Sequence, residues 1–275
     1  MKNKIIIPLG FLILIGALLY SYDRVESFTP ADGNIEIVAI QTKDDADATL
    51  IYQNGAALLI DTGEVVDGQH ILQVLQKNGV TRLDCLILSH YDKDHIGGAA
   101  VIADGMEIDR VLMPYYTAGE EIEELKSLLE EKEIPIQYPT HTMRFLVGDM
   151  TVTLYPPLES YYKKENNYSM AALISFQDVD MFFPGDALRK RSEELMRNHY
   201  PSIELYKAPH HGRSNSASVS LLEYISPQMM IVNALQLDQN IAETVEKKGI
   251  QAVYTRMDDY YFESDGEKLW LRKQK

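Results

Sequence analysis

Apolar and polar residues alternate along the chain in short segments, and segments with helical spacing lie between them. Residues 35–40 alternate as a half-buried strand does, and residues 48–52 and 56–60 are a pair of strands around a Gln-Asn-Gly turn. Residues 67–78 carry apolar side chains at helical spacing and are followed by Gly79. This part of the chain therefore predicts a strand, a hairpin and a helix.

The rest of the chain predicts more strands and helices, without a fixed-period repeat. Further strands are predicted at residues 83–88, 111–113, 144–147, 151–155, 171–176, 181–183, 203–206 and 229–232, with three short strands at the C-terminal end. Further helices are predicted at residues 98–103, 119–133, 187–199, 217–225 and 241–248. Two groups of strands, with hairpins and strand–helix units mixed, predict an α/β protein: a four-layer αββα sandwich of two sheets with helices outside. We expect one soluble domain, residues 34–275.

The N-terminus has the pattern of an export signal. Two lysines precede an apolar stretch at residues 5–22, which is just long enough to span a bilayer. Because no small-x-small cleavage site follows, an uncleaved signal anchor at residues 1–22 is favoured over a cleaved signal peptide. Residues 23–33 are then a short tether. By the positive-inside rule the domain lies outside the cytoplasm, as a single-pass membrane protein or, after cleavage, as a secreted one.

Composition narrows the function classes. Of 275 residues, 45% are apolar and 24% charged, and the net charge is −15. This surface disfavours tight non-specific binding of nucleic acid, which requires Lys and Arg, but it does not exclude a nucleic acid held through metal ions. The single cysteine, Cys85, excludes an intrachain disulfide and is expected to be a buried core residue.

The densest group of potential metal ligands follows the apolar run at residues 83–88. His90, Asp92, Asp94 and His95 lie within six positions, and two glycines come next. A solvated polar turn is the alternative, but such turns seldom combine two histidines and two aspartates. We therefore predict a metal site in a loop at the carboxyl end of a strand, and we call residues 89–98 the ligand loop.

Two other strand ends carry candidate ligands. Asp186 follows the strand at residues 181–183, and His210 and His211 follow the strand at residues 203–206. The alternative for Asp186 is a helix N-cap. Of the two histidines we expect one ligand and favour His210, with His211 as its neighbour or as the ligand in its place.

The spacing within the ligand loop predicts how the ligands divide. Side chains at i and i+2 of an extended segment point the same way, so His90 and Asp92 are expected to converge on one ion. Asp94 and His95 are expected to turn to a neighbouring ion. The carboxylate of Asp186 is suited to bridge the two ions, and a histidine from the later pair completes the second site.

Together these motifs resemble the metallo-β-lactamase fold superfamily. The resemblance rests on the His-x-Asp-x-Asp-His-x-Gly-Gly loop, the turn at residues 61–63, the Pro-Gly-Asp-Ala step and the His-His-Gly ending. More narrowly, the chain resembles the extracytoplasmic metallo-β-lactamase-like domain of the competence protein ComEC and its stand-alone relatives, over residues 34–275. The resemblance implies a hydrolase that uses a hydroxide shared by two divalent ions; it leaves the substrate open.

Two departures from the superfamily pattern change the expected metal. Asp92 stands where the superfamily more commonly has a histidine, and the mid-chain stretch at residues 165–170 lacks the histidine that is usually supplied there. Oxygen donors in place of imidazoles favour Mn²⁺ relative to Zn²⁺, and both metals stay open. The site with fewer histidines is expected to hold its ion weakly.

Several other residues are assigned roles near the metals. Asp94 is counted as a catalytic residue as well as a ligand. Lys207 is expected to meet a substrate oxyanion, with a surface lysine as the alternative. Asn167 and Ser169 are expected to orient water or substrate, with a plain loop as the alternative. Asp61 is expected to brace the ligand loop. The basic run at residues 189–191 is expected to be a solvated helix face or a phosphate contact.

The favoured function is a membrane-anchored, extracytoplasmic phosphodiesterase or nuclease-like enzyme with two Zn or Mn ions. Its expected partners are a phosphodiester or another small hydrolysable substrate, single-stranded nucleic acid among them, and the membrane. One alternative keeps the metals and cleaves a carboxylic ester, lactone or β-lactam. Another is a non-catalytic surface binding module on the same fold.

Overall fold

The structure is a computed structural model that describes residues 33–53, 55–116 and 120–272. The predicted anchor lies outside the described residues, and so does the tether up to residue 32. Among the helices that the structure describes, none is long and apolar enough to cross a membrane.

The strands are short and are numbered here in chain order. They are β1 Ile35–Ala39, β2 Thr49–Gln53, β3 Ala56–Ile60, β4 Arg82–Leu83, β5 Cys85–Ile87, β6 Glu107–Ile108, β7 Val111–Leu112, β8 Ile136–Gln137, β9 Met143–Val147, β10 Met150–Tyr155, β11 Ala171–Phe176, β12 Val179–Phe183, β13 Leu205–Lys207, β14 Met229–Val232, β15 Gln251–Tyr254, β16 Tyr260–Ser264 and β17 Leu269–Leu271. One sheet has the order β17-β16-β1-β2-β3-β5-β7-β8 and the other β15-β14-β13-β12-β11-β10-β9.

The helices lie on the outer faces of the two sheets. They are α1 Gly68–Lys77, α2 Lys93–Ile96, α3 Ala99–Gly105, α4 Glu120–Glu131, α5 Arg189–Leu195, α6 Ser218–Ile225 and α7 Gln239–Lys248, and 3-10 turns span Glu165–Tyr168 and Pro209–Gly212. Apolar residues of α1, α3 and α4 pack on the first sheet, and those of α5, α6 and α7 pack on the second. The layers are therefore helix, sheet, sheet, helix, as the alternation predicted.

The alternation in β1 shows how the pattern selects the layers. Ile35, Ile37 and Ala39 belong to the core between the sheets, whereas Val38 belongs to the core under the first group of helices. Successive side chains of a strand point to opposite faces, so a strand between two apolar layers is buried on both. The observed burial of every residue of β1 agrees with this.

Two predicted element boundaries are wrong. The run at residues 83–88 was predicted as one strand, but it divides at Asp84, whose carboxylate accepts a hydrogen bond from the backbone N–H of Ala57. β4 then pairs with β6, and β5 pairs with β3. The helix predicted at residues 187–199 is shorter, because Leu188 is still extended and the helix begins after it. Asp186 is thus not an N-cap.

Parallel strand pairs position the functional residues. In the first sheet β3 and β5 are parallel neighbours, and Asp61 and the ligand loop follow their carboxyl ends. In the second sheet β12 and β13 are parallel neighbours; Asp186 follows the first, and Lys207 ends the second. Loops at the carboxyl ends of parallel strands meet at one edge of a sheet. Here the two edges face each other, so residues far apart in the sequence meet.

Candidate metal centre

Two buried histidines and two aspartates from three strand ends form the central cluster of the site. The Nε2 atom of His211 lies 3.1 Å from Oδ2 of Asp94 and 3.2 Å from Oδ2 of Asp186. The Nε2 atom of His95 lies 3.3 Å from Oδ1 of Asp186. All are buried except Asp94, whose side chain is 22% exposed. The centre is thus open to solvent on the side of Asp94.

His90 and Asp92 lie together beside this cluster. The Nε2 atom of His90 is 3.4 Å from Oδ2 of Asp92, and the rings of His90 and His95 are 4.1 Å apart between centroids. The Asp92 side chain is 33% exposed, and its Oδ2 also accepts a hydrogen bond of 3.1 Å from the amide of Asn166. The structure thus brings together the pair that the i, i+2 spacing was expected to direct at one ion.

Asp47 is a member of the centre that sequence reasoning missed. One ligand atom each of Asp47, His95, Asp186 and His211 lies within 4.8 Å of all the others. The backbone N–H of Asp47 donates a 3.0 Å hydrogen bond to the carbonyl of Asp94, which ties the segment before β2 to the ligand loop. The only local signal is an aspartate directly before a buried strand. In a segment that also holds two other aspartates, that signal does not distinguish it.

Asp61 holds the ligand loop in place. Its carboxylate accepts 2.7 Å hydrogen bonds from both the backbone N–H and the hydroxyl of Ser89, and it lies 2.8 Å from Nδ1 of His95. A carboxylate at Nδ1 directs the Nε2 of an imidazole towards a metal ion. Gly98 is required at the end of the same loop, because a Cβ there would overlap the carbonyl oxygen of Thr62. The structure therefore places Asp61 as a support of the loop.

The structure reverses the preference between His210 and His211. The buried imidazole of His211 faces the carboxylates, whereas His210 contributes its backbone N–H, which donates a 3.1 Å hydrogen bond to Asp186 Oδ1. Both residues are left-handed, with φ of 51° and 55°. Such a turn costs of order 1–3 kcal/mol per residue and is retained where surrounding contacts determine it. Burial also lowers the pKa of His210.

Lys207 does not have the position expected of a substrate contact. Its ammonium is in contact with the carboxylate of Asp47 and donates hydrogen bonds to Asp186 Oδ1 at 3.0 Å and to the carbonyl of Gly185 at 3.3 Å. The side chain is buried. Since these acceptors engage the ammonium, Lys207 neutralises buried carboxylates, and the role predicted for it at a substrate oxyanion is not supported by its placement.

Asn167 and Ser169 are also buried in supporting contacts. The hydroxyl of Ser169 accepts a 3.0 Å hydrogen bond from the backbone N–H of Asp186 and donates one to Asn166. The side-chain oxygen of Asn167 accepts one of 3.1 Å from the backbone N–H of Arg191. Both residues therefore hold backbone segments of the site, which differs from the predicted contact with water or substrate.

The charges in the centre are strongly coupled. Burial raises the pKa of Asp186, but His211 and Lys207 lower it more, so that the net pKa lies well below its ordinary value. Asp47 behaves in the same way: burial raises its pKa, and Lys207 lowers it more. Burial lowers the pKa of His95, while Asp186 and Asp47 raise it, to about 10. Negative charge thus dominates the field at both buried imidazoles.

The residues present fit a divalent metal ion. The Nε2 atoms of His90, His95 and His211 are buried without a hydrogen-bond partner among the described residues. An unpartnered buried nitrogen is costly unless another ligand satisfies it. Imidazole nitrogens beside carboxylate oxygens are the donors that Zn²⁺ and Mn²⁺ accept. Asp94, His95, Asp186 and His211 would hold one ion, and His90 and Asp92 would contribute to a second.

The basic run beside Asp186 is not one solvated face. Arg191 is buried: it donates hydrogen bonds to the carbonyls of Ser169 and Tyr155 and forms a 2.8 Å ion pair with Glu194. It therefore joins α5 to the segment that carries Ser169. Neither a solvated face nor a phosphate contact describes Arg191.

Replacing Arg191 by Met is expected to destabilise the protein by about 3–5 kcal/mol, because Glu194 would remain as an unpaired buried charge. Urea denaturation followed by circular dichroism measures the change. The matched control is Arg189→Met on the same helix, where the exposed ion pair with Glu193 should contribute little. Equal stability of the two variants would contradict the structural role of Arg191.

Replacing Asp92 by His is expected to increase zinc retention towards about one additional ion per chain, since an imidazole replaces an oxygen donor beside His90. Metal analysis after dialysis against buffer measures this. Asp104→His is the control, because it adds the same imidazole on an exposed part of α3. If folded Asp92→His protein retained no more zinc than this control, Asp92 would not lie next to the metal.

Comparison with known proteins gives the class first. Residues 42–228 match the metallo-beta-lactamase superfamily, and the chain belongs to this family. ComE operon protein 3 of Bacillus subtilis (strain 168) is 23% identical over 251 residues, which cover 84% of this chain and 32% of that protein. Recombination protein 2 of Haemophilus influenzae (strain ATCC 51907 / DSM 11121 / KW20 / Rd) is 27% identical over 192 residues, covering 68% and 23%. These matches confirm the predicted ComEC-like branch.

The extent of these matches differs between sequence and structure. The chain spans about a third or less of the length of the two curated relatives. The metallo-beta-lactamase fold protein YhfI of Bacillus subtilis superposes with a TM-score of 0.61 at 12% identity, over 84% of this chain and 100% of that one. At this identity the superposition establishes the fold, and it confirms the predicted sandwich.

Proposed function

We propose that the chain is a metal-dependent hydrolase that cleaves phosphodiester bonds. The observation that carries this proposal is the cluster of Asp94, His95, Asp186 and His211, in which buried imidazole nitrogens face carboxylates with no protein partner to satisfy them. A structural cluster would be expected to satisfy its own polar atoms. A cluster that leaves them unsatisfied is suited to a cation.

The chemistry divides between the ions and the chain. Bound divalent ions would activate water for attack and offset the negative charge that develops on a phosphoryl group. The chain's own residues position the ligands: Asp61 orients the ring of His95, and Ser169 holds the backbone of Asp186. Asp94 and Asp92, the more exposed acids of the centre, lie where a substrate reaches it.

Two features support a phosphodiester rather than another ester. Exposed cations lie near the ligands in an otherwise acidic protein: Arg213 directly follows the His-His-Gly turn, and Lys163 and Lys164 precede Asn166, which contacts Asp92. Such groups can meet phosphate oxygens. In addition, one relative is named for recombination and another for the ComE operon. Nucleic acid, in particular a single strand, is therefore the proposed substrate class.

The proposed location is the outer face of the cell membrane. The support is the lysine-flanked apolar stretch at residues 1–22, which would hold residues 34–275 outside the cytoplasm. Protease added to intact cells should then degrade the domain, and membrane fractions should retain it. Recovery of the protein in the culture medium would instead indicate a cleaved signal peptide.

The test of the activity uses the full chain purified in detergent. With Mn²⁺ or Zn²⁺ added, we expect turnover of bis-p-nitrophenyl phosphate and single-stranded DNA that a chelator abolishes. A panel of a p-nitrophenyl ester, a lactone and a chromogenic cephalosporin runs in parallel. Turnover of the panel alone would establish the ester, lactone or β-lactam alternative. Metal binding without turnover of any substrate would indicate a binding module.

A further inference from the structure

The two carboxylate oxygens of Asp186 have different surroundings. Oδ1 accepts hydrogen bonds from the ammonium of Lys207 at 3.0 Å and from the backbone N–H of His210 at 3.1 Å. Oδ2 faces Nε2 of His211 at 3.2 Å. A carboxylate that bridges two ions needs a free oxygen for each. In Asp186 one oxygen is already engaged by protein donors.

The charge on Lys207 is held firmly in place. Its side chain is buried, it contacts the carboxylate of Asp47, and it donates to the carbonyl of Gly185. Gly185 has a φ of 61°, and a Cβ there would lie 2.8 Å from Cβ of Ser169. The turn that presents this carbonyl is therefore rigid. A positive charge that cannot move to solvent repels any cation brought to the Lys207 side of Asp186.

The two halves of the centre differ in the ligands they offer. The cluster of Asp94, His95, Asp186 and His211 offers two imidazoles and two carboxylates, listed here with the distances given above. The other half offers His90 and Asp92. Asp92 is partly exposed and shares its Oδ2 with Asn166. An ion held by fewer and more solvated protein ligands binds more weakly.

We propose that Lys207 is an internal cation that restricts Asp186 to a single metal ion. The centre then binds one divalent ion tightly through Asp94, His95, Asp186 and His211, and a second ion weakly at His90 and Asp92. Part of the positive charge that a second tight ion would bring is supplied by the ammonium. The inference rests on the proposed metal centre but is independent of which bond is cleaved.

The test is a metal titration of the full chain, with Mn²⁺ and Zn²⁺ in competition with a fluorescent chelator. For the wild type we expect two dissociation constants that differ by about tenfold or more. Lys207→Met should tighten the second ion by about tenfold or more, because the fixed charge is gone and Oδ1 of Asp186 is released. Lys207→Arg should keep the wild-type pattern. Lys93→Met is the matched control, since it removes the same charge from an exposed position in the ligand loop.

Two results would overturn the proposal. One is a wild type that binds two ions with equal affinity, which needs no variant and so decides the matter even if Lys207→Met does not fold. The other is folded Lys207→Met protein in which the second dissociation constant is unchanged. A wild type that binds no ion would remove the proposed function as well, whereas equal binding of two ions would leave that function intact.

Discussion

Asp186→Asn is expected to lower the hydrolysis of bis-p-nitrophenyl phosphate by at least about a hundredfold. Changes to residues that only orient metal ligands typically cost 10–100-fold, and Asp186 is a proposed ligand itself. Its carboxylate lies 3.2 Å from Nε2 of His211 and 3.3 Å from Nε2 of His95, so it contacts both buried imidazoles of the centre. The amide keeps the shape of the side chain and removes the charge.

The measurement is the steady-state rate at saturating metal, together with the metal content of the same sample. Asp178→Asn is the control, because Asp178 is exposed at the turn between β11 and β12. The variant must be folded, which circular dichroism shows. Asp186→Asn protein that keeps both its metal and more than about a tenth of the rate would exclude Asp186 as a ligand.

His211→Asn is expected to reduce metal retention and to lower the rate by at least about a hundredfold, whereas His210→Asn should stay close to the wild type. The reason is that the ring of His211 faces Asp94 and Asp186, while His210 contributes only its backbone N–H to the same carboxylate. Asn is the chosen replacement because it tolerates the left-handed conformation of both positions. The pair therefore separates loss of the ring from strain in the turn.

Metal content after dialysis and the rate with added metal are both measured for the two variants. Each variant is the control for the other, because they share the backbone conformation and differ by one position. If His210→Asn lost metal and His211→Asn did not, the assignment of the ligand would be reversed. Equal loss in both would mean that the turn as a whole, and not one ring, holds the ion.

Local sequence was sufficient for the elements and for the general place of the chemistry. The alternation in β1 and the helical spacing of α1 follow from burial on one face or two, which neighbouring residues alone report. The ligand loop was recognisable because His90, Asp92, Asp94 and His95 are close in the chain. A strand that ends in such a group needs no distant partner to be identified.

Boundaries that depend on partners could not be predicted in this way. The run at residues 83–88 has the composition of one strand, and it divides because Asp84 caps the backbone of Ala57 on another strand. Arg191 belongs to a basic run that looks solvated, and it is buried because the carbonyls of Ser169 and Tyr155 lie above it. In both cases the deciding contact comes from a residue more than twenty positions away.

By itself, the sequence determined the sandwich, the ligand loop, the strand-end position of Asp186 and the family. Only the tertiary structure decided that Asp47 joins the centre, that Lys207 neutralises it from inside, and that His211 rather than His210 presents its ring. The physical reason is that these roles are set by through-space distances between the ends of separate strands and by a left-handed turn. Neither quantity is encoded in local periodicity.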